Sequence, residues 1–164
     1  ESLADIAALL DLSIDAVKAH LARGRARLRE LNALAAPPAE ARPPTAAVAR
    51  YVRLFNEHNW DALRALLADD VKLSQSTHSL RTGRAEVGMF FTIYAQSPDV
   101  RLASAWLEGQ EVVAVFDGHE PTRPSYVMWL QWDGERISFI RDYRYVRYVV
   151  ADAELVLAAT DPTN

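Results

Sequence analysis

Four prolines within the ten residues Ala36–Thr45 (APPAEARPPT) place the tightest limit on what this chain can fold into. Proline lacks a backbone N–H and clashes with the preceding helical turn, so no helix runs through this stretch. No apolar periodicity crosses it, so it offers no face to pack. It reads as a semi-rigid linker between a short segment and a large one. The expected divisions of the 164 residues are 1–34, 35–44 and 45–164.

Charge separates along the same line. Lys18, Arg23, Arg25, Arg27 and Arg29 balance Glu1, Asp5, Asp11, Asp15 and Glu30, so the net charge of −4 belongs to the large segment. A net-acidic domain is a poor nucleic-acid binder by electrostatics. Half of the residues are hydrophobic and 24% are charged, which is a globular composition. No apolar run is long enough to cross a bilayer, so no membrane partner is expected. The absence of cysteine excludes disulfides, thiolate metal sites and a cysteine nucleophile, and fits a reducing, cytoplasmic setting.

In the short segment, Leu3, Ile6, Leu9 and Leu10 recur at helical spacing, which predicts a helix over Ser2–Leu10. Asp11-Leu12-Ser13 is the turn, with Ser13 as the N-cap of a second helix running to about Ala33. Val17, Leu21, Leu28 and Leu31 form the apolar stripe of that helix, with Lys18, Arg25 and Arg29 on another face. The pattern suits a helix-turn-helix that lays its second helix in a DNA major groove. It equally suits an amphipathic hairpin with solvated charges.

Beyond the linker the elements follow a definite order. Helices are expected at Ala46–His58 and Trp60–Leu67, a strand at Asp70–Thr77, and a helix at Arg84–Tyr94 after the turn Thr82-Gly83. The period then becomes two, predicting strands at Val100–Leu107, Glu111–Phe116, Ser125–Trp132 and Arg136–Val149. Asp133-Gly134 signals a hairpin. This order implies an α+β fold with a strongly curved antiparallel sheet and packed helices, preceded by an all-α helix pair. The tail, Val150–Ala159, fits either a strand or a short helix.

Two resemblances refine these expectations. SLADIAALLDLSIDAVKAHLARGRARLREL resembles the C-terminal promoter-reading region of extracytoplasmic-function sigma factors of bacterial RNA polymerase. The positions that carry it are Asp5, Ile6, Ala7, Leu10, Ser13, Ala16, Val17, Lys18, Leu21, Arg23, Arg25 and Leu28, with Asp11 and Gly24 departing from the usual Gly and Ala. The resemblance implies that Ser13, Lys18, Ala19, Ala22 and Arg23 face the −35 promoter element. It also implies upstream regions, absent from a chain that lacks an initiating Met, that engage core RNA polymerase. From about Thr45 to Thr160 the chain resembles the SnoaL-like branch of the cone-shaped fold shared with nuclear transport factor two. VARYVRLFNEHNWDALRALLADDVKL, RTGRAEVGMFF and WDGERISFIRDYRY carry that likeness. The two in this order match sigma factors with a SnoaL-like extension, a regulatory module there, although the WLPEP and DGGGK motifs of the best-known group are missing.

The cone implies a pocket between sheet and helices. Its expected lining is His78, Met89, Phe90, Tyr94, Trp106, Tyr126, Trp129, Trp132 and Asp142, open to a small apolar or aromatic molecule. The same apolar side chains also serve simply as core. Asp142 is the chemically interesting group, yet strand alternation makes both it and Arg141 eligible for the inward face. Were the domain an enzyme (a cyclase, isomerase or hydrolase), Asp142 would act as its acid/base with His78 or Tyr126. A homodimer through the sheet face is a third option. No metal site is expected, because the histidines at 20, 58, 78 and 119 are scattered, and no cofactor-binding glycine loop is present. Asp117, His119 and Glu120 read as solvated loop charge.

Overall fold

The structure, a computed structural model, describes residues 2–35, 41–118, 122–146, 150 and 153–159. The chain forms two compact units, Glu1–Ala39 and Glu40–Asn164. The prolines at 37 and 38, the loop residues His119 and Glu120, and the proposed strand end at 147–149 lie outside the described residues.

The first unit holds α1 (Leu3–Leu10) and α2 (Ile14–Ala35). Ser2 and Asp5 form a capping box at the start of α1: Asp5 N donates to Ser2 Oγ at 3.2 Å and Ser2 N to Asp5 Oδ2 at 2.8 Å. α1 stops at Asp11, whose φ of 53° is left-handed and lets its N–H reach back to the Ala7 and Ala8 carbonyls. This is why glycine suits that position. Ser13 Oγ then accepts from Ala16 N at 3.1 Å, capping α2 as expected. Ala7 and Val17 are buried in the seam between the helices.

The second unit begins with α3 (Ala46–Asn56) and α4 (Trp60–Ala65). Thr45 caps α3 and also donates from N and Oγ1 to the Glu111 carboxylate at 2.6 and 2.9 Å. Asn59 caps α4 through Ala62 N. α4 ends two residues earlier than the spacing predicts, because Leu67 already opens β1 (Leu67–Gln75). The short β2 (Arg81–Thr82) returns antiparallel to it. Gly83, at φ 97°, turns the chain into α5 (Arg84–Ala95) while its N–H donates to Val71 O at 2.8 Å.

Four antiparallel strands follow: β3 (Arg101–Leu107), β4 (Gln110–Phe116), β5 (Tyr126–Asp133) and β6 (Arg136–Asp142). The last strand is shorter than predicted and ends at Asp142. β7 (Leu155–Leu157) pairs with β3, so the tail is a strand. The sheet order is β2-β1-β6-β5-β4-β3-β7, antiparallel except where β1 joins β6 in parallel. This is the expected α+β fold with a curved sheet.

One sheet face and the three helices enclose the main core. Leu73, Val113, Val115, Met128 and Ile140 from the strands meet Tyr51, Phe55, Leu63, Phe90 and Phe91 from the helices. Part of the opposite face is covered by a second cluster, including Val112, Ala114, Val127 and Val150. Asn56 ties helix to sheet. Its Nδ2 donates to Leu102 O and its Oδ1 accepts from Leu102 N, each at 2.9 Å, so the side chain acts as a neighbouring strand would. Asn56→Asp turns the donor into a carboxylate facing a carbonyl. It should destabilise this unit by about 1–3 kcal/mol. Urea unfolding followed by tryptophan fluorescence checks this, since all four tryptophans lie beyond residue 40.

Candidate functional site

The polar centre of the cone is built at one end of the strands. β1 and β6 run parallel with Gln75 opposite Asp142, and β5 places Met128 on the other side of Asp142. Alternation puts Ile140 and Asp142 on one face of β6, and the core already claims Ile140. Asp142 therefore points inward, only 1% exposed, while Arg141 is exposed. The ambiguity left by the sequence is resolved in favour of the carboxylate.

Two donors hold that carboxylate. Gln75 Nε2 donates to Oδ2 at 2.7 Å, and Arg144 N donates to Oδ1 at 3.0 Å. Nearby, Tyr94 from α5 and Tyr126 from β5 join hydroxyls at 2.7 Å. The Arg144 guanidinium lies 5.7 Å from the centre of the Tyr94 ring. Tyr51, from α3, is fully buried and its hydroxyl meets no partner. Phe55 and Phe90 set their rings edge-on to Tyr94 at 5.2 and 4.9 Å. The result is a small polar cluster walled by aromatic rings.

Burial governs its electrostatics. Desolvation pushes Asp142 up from 3.8 to about 6, against the bonds from Gln75 and Arg144 N and the charge of Arg144. Burial is also the leading cause that raises the three tyrosines, Tyr126 to about 12, and the Asp142 charge adds to each. At neutral pH the site thus holds neutral phenols around a largely ionised carboxylate.

Other expected lining residues lie elsewhere. Phe90 is in the core, but Met89 is 63% exposed, on the outer side of α5. There it borders a shallow groove of about 410 Å³ with Arg64, Arg84, Ala85, Gly88 and Thr92. Consecutive helix positions diverge by about 100°, so Met89 and Phe90 cannot both face in. Trp129 sits opposite Arg141 and packs on Phe139 at 6.0 Å, away from the face of Met128 and Leu130. His78 is exposed and stacks on Tyr145 at 4.7 Å. Trp106 is half-buried, its Nε1 donating to Arg42 O at 3.1 Å under the Arg42 guanidinium. Trp132 packs against the core, with a buried, unpartnered Nε1. Arg144, eligible by sequence as a surface partner of Asp142, instead meets that buried carboxylate through its backbone N–H, whereas Gln75 and Tyr51 were not foreseen. A signal existed for both: Gln75 continues the Val71–Leu73 alternation, and Tyr51 shares the helical face of Val48 and Phe55.

In the other unit, Lys18, Ala19, Ala22 and Arg23 are all exposed on α2, with Lys18 in a solvated ion pair with Asp15 at 3.5 Å. Among the described residues no group of acidic or histidine side chains could hold a metal. No described helix is long and apolar enough to cross a membrane.

The Asp142 shift has a consequence for stability. Its folded value of about 6 lies above the ordinary 3.8, so the folded state holds the proton more tightly. That contribution is complete below about pH 4 and is lost as pH rises through about 6. Asp142→Asn removes the charge, and Gln75 can turn its amide to meet the new one. The variant should gain on the parent by on the order of 2–3 kcal/mol between about pH 4 and pH 7. Urea unfolding at a series of pH values measures this; a pH-independent difference contradicts it.

The SnoaL-like domain family matches residues 48–148, a span that contains all six residues of the polar cluster. No curated relative matches the chain. Among solved structures, it resembles a protein of Kribbella flavida DSM 17836 named provisionally as a ketosteroid isomerase, at 21% identity and a TM-score of 0.47, over 73% of this chain and 82% of that one. It resembles Bal32a, from a soil-derived mobile gene cassette, at 14% identity and a TM-score of 0.48, over 65% and 91%. It also resembles SalBIII, described as an epoxide hydrolase/cyclase-like enzyme in pyran ring formation in the polyether salinomycin, at 18% identity and a TM-score of 0.43, over 59% and 86%. The family match spans more than half of the sequence and takes in β1, α5 and the four long antiparallel strands, so the chain belongs to the SnoaL-like domain family.

Proposed function

We propose that the chain is part of an alternative RNA polymerase sigma factor. In this reading α1 and α2 read the −35 promoter element, and the SnoaL-like domain regulates sigma activity by binding a small apolar or aromatic molecule. The observation that carries it is the helix pair. Ala7 and Val17 close the seam and leave Lys18, Ala19, Ala22 and Arg23 together on the open side of α2. Short residues beside basic ones let a helix approach base edges while it anchors to phosphates. The resemblance of this pair to sigma factors supplies the partners: promoter DNA, and core polymerase through upstream regions. The polar cluster in an aromatic interior supports a ligand-responsive domain.

Promoter-duplex binding by the full-length protein with core polymerase tests the DNA half. Arg23→Ala and Lys18→Ala should each weaken binding, about 5- to 100-fold where a base contact is lost. Unchanged affinity in the double variant contradicts the reading. Removing residues 45–164 should change transcription output; unchanged output under every condition contradicts the regulatory half.

A second reading has one specific observation behind it. Asp142, at about 6, lies in the range of a general base at neutral pH and is the one buried carboxylate among the described residues. An isomerase or cyclase would use it to take a proton from carbon beside a carbonyl, with Tyr126 near the developing oxyanion. His78 is exposed and stacked on Tyr145, so this reading favours Tyr126 over it as the partner of Asp142. The reading requires exchange of such protons into heavy water, rising through about pH 6 and abolished in Asp142→Asn. Absence of exchange in the parent protein excludes it.

A further inference from the structure

Both strands of the parallel pair end in a tight turn. Gln75 closes β1, and His78 N donates to Gln75 O at 3.1 Å, so Gln75–His78 is a β-turn. Asp142 closes β6, and Val146 N donates to Tyr143 O at 2.9 Å, so Tyr143–Val146 is a second one. Parallel strands put their C-terminal ends on one side, so the two turns emerge together beside the Gln75–Asp142 bond. Their tips meet. The His78 and Tyr145 rings stack with centroids 4.7 Å apart and planes 25° apart, and both side chains are exposed. Against that contact stands Thr77. It holds the third position of its turn with φ 74°, a conformation that glycine or asparagine supplies readily and a β-branched residue does not.

We propose that the Gln75–His78 and Tyr143–Val146 turns form a two-part latch over Asp142, held shut by the His78–Tyr145 stack and biased toward opening by the backbone of Thr77. Asp142 is the last residue of its strand and yet is only 1% exposed, so chain beyond the strand end covers it. The second turn is pinned at its base, where Arg144 N donates to Asp142 Oδ1 at 3.0 Å. Lifting that turn breaks a bond to the carboxylate itself and admits water to it. Backbone strain of the kind found at Thr77 persists only where the surroundings hold it. A stack of two exposed rings is a modest restraint, of the same order as the strain it opposes. The closed latch is therefore poised rather than locked. His78 and Tyr145 are positioning residues, which act on Asp142 by keeping water from it. The latch depends on neither the promoter reading nor the enzyme reading.

Labelling of the full chain with a water-soluble carbodiimide and glycine ethyl ester, read by peptide mass spectrometry, follows the opening, because a carboxyl group reacts only when the reagent reaches it. Asp61 and Asp69, both exposed, are internal references. Amide exchange at the buried Val113 and Met128 follows unfolding of the whole domain. Asp142 in the parent should label slowly, but faster than that unfolding allows. Tyr145→Ala and His78→Ala should each speed labelling about 2- to 10-fold. The double variant should be no faster than either alone, since one stack is lost in all three. Tyr145→Phe keeps the ring and should match the parent. Thr77→Asn accepts the left-handed backbone and should slow labelling about 5-fold or more. None of these changes, all at exposed positions, should alter exchange at Val113 or Met128. The proposal is overturned if Asp142 labels only as fast as the domain unfolds, if Tyr145→Ala leaves the rate unchanged, if Tyr145→Phe acts as Tyr145→Ala does, or if Thr77→Asn labels as fast as the parent.

Discussion

The parallel pairing of β1 with β6 is the constraint on which the rest of this domain depends. Every other pairing in the sheet is antiparallel. The sheet needs this one to wrap β1 and β2 around the helices instead of ending at β6. It also decides the chemistry of the interior. Register sets Gln75 beside Asp142, and their side chains meet at 2.7 Å across 67 residues of sequence. Shifting β6 by one residue would turn Asp142 to solvent and Arg141 inward, and shifting β1 would turn Gln75 away from it.

An ionisable group so deeply placed is a liability unless it is matched. A carboxylate in an apolar interior without partners would remain protonated. Here Gln75 and the backbone N–H of Arg144 moderate the effect, so Asp142 rests near 6 instead of rising further. The same balance keeps Tyr51, Tyr94 and Tyr126 neutral, because an ionised phenol beside that carboxylate would face burial and repulsion together. The interior is polar without being highly charged.

Much of the fold was legible because its signals are local. The proline cluster, the caps at Ser13 and Asn59, the switch to period two and the Asp133-Gly134 hairpin each act within a few residues. The site was legible only in part, because it is assembled over long distances. Asp142, Phe90, Tyr94 and Tyr126 could be named from residue type and strand or helix position. Met89 and Trp129 could not be excluded, since hydrophobicity alone does not say which of two adjacent residues faces in. Tyr51 hid as one more aromatic on an apolar helix face. Arg144 lies in a turn past the end of β6, where alternation no longer applies, in a stretch expected to remain extended.

The wide separation of Gln75 and Asp142 bears on how the protein reaches its native state. Hairpins β3–β4 and β5–β6 close short loops and can form early, whereas joining Gln75 of β1 to Asp142 of β6 closes a separation of 67 residues and carries a larger loop-closure entropy. Contacts of such high order tend to form late and slowly. The carboxylate, its amide partner and the tyrosines therefore come together only once the barrel-like wall is sealed. The buried carboxylate and its raised proton affinity are therefore properties of the finished fold alone, and they vanish when that final seam opens.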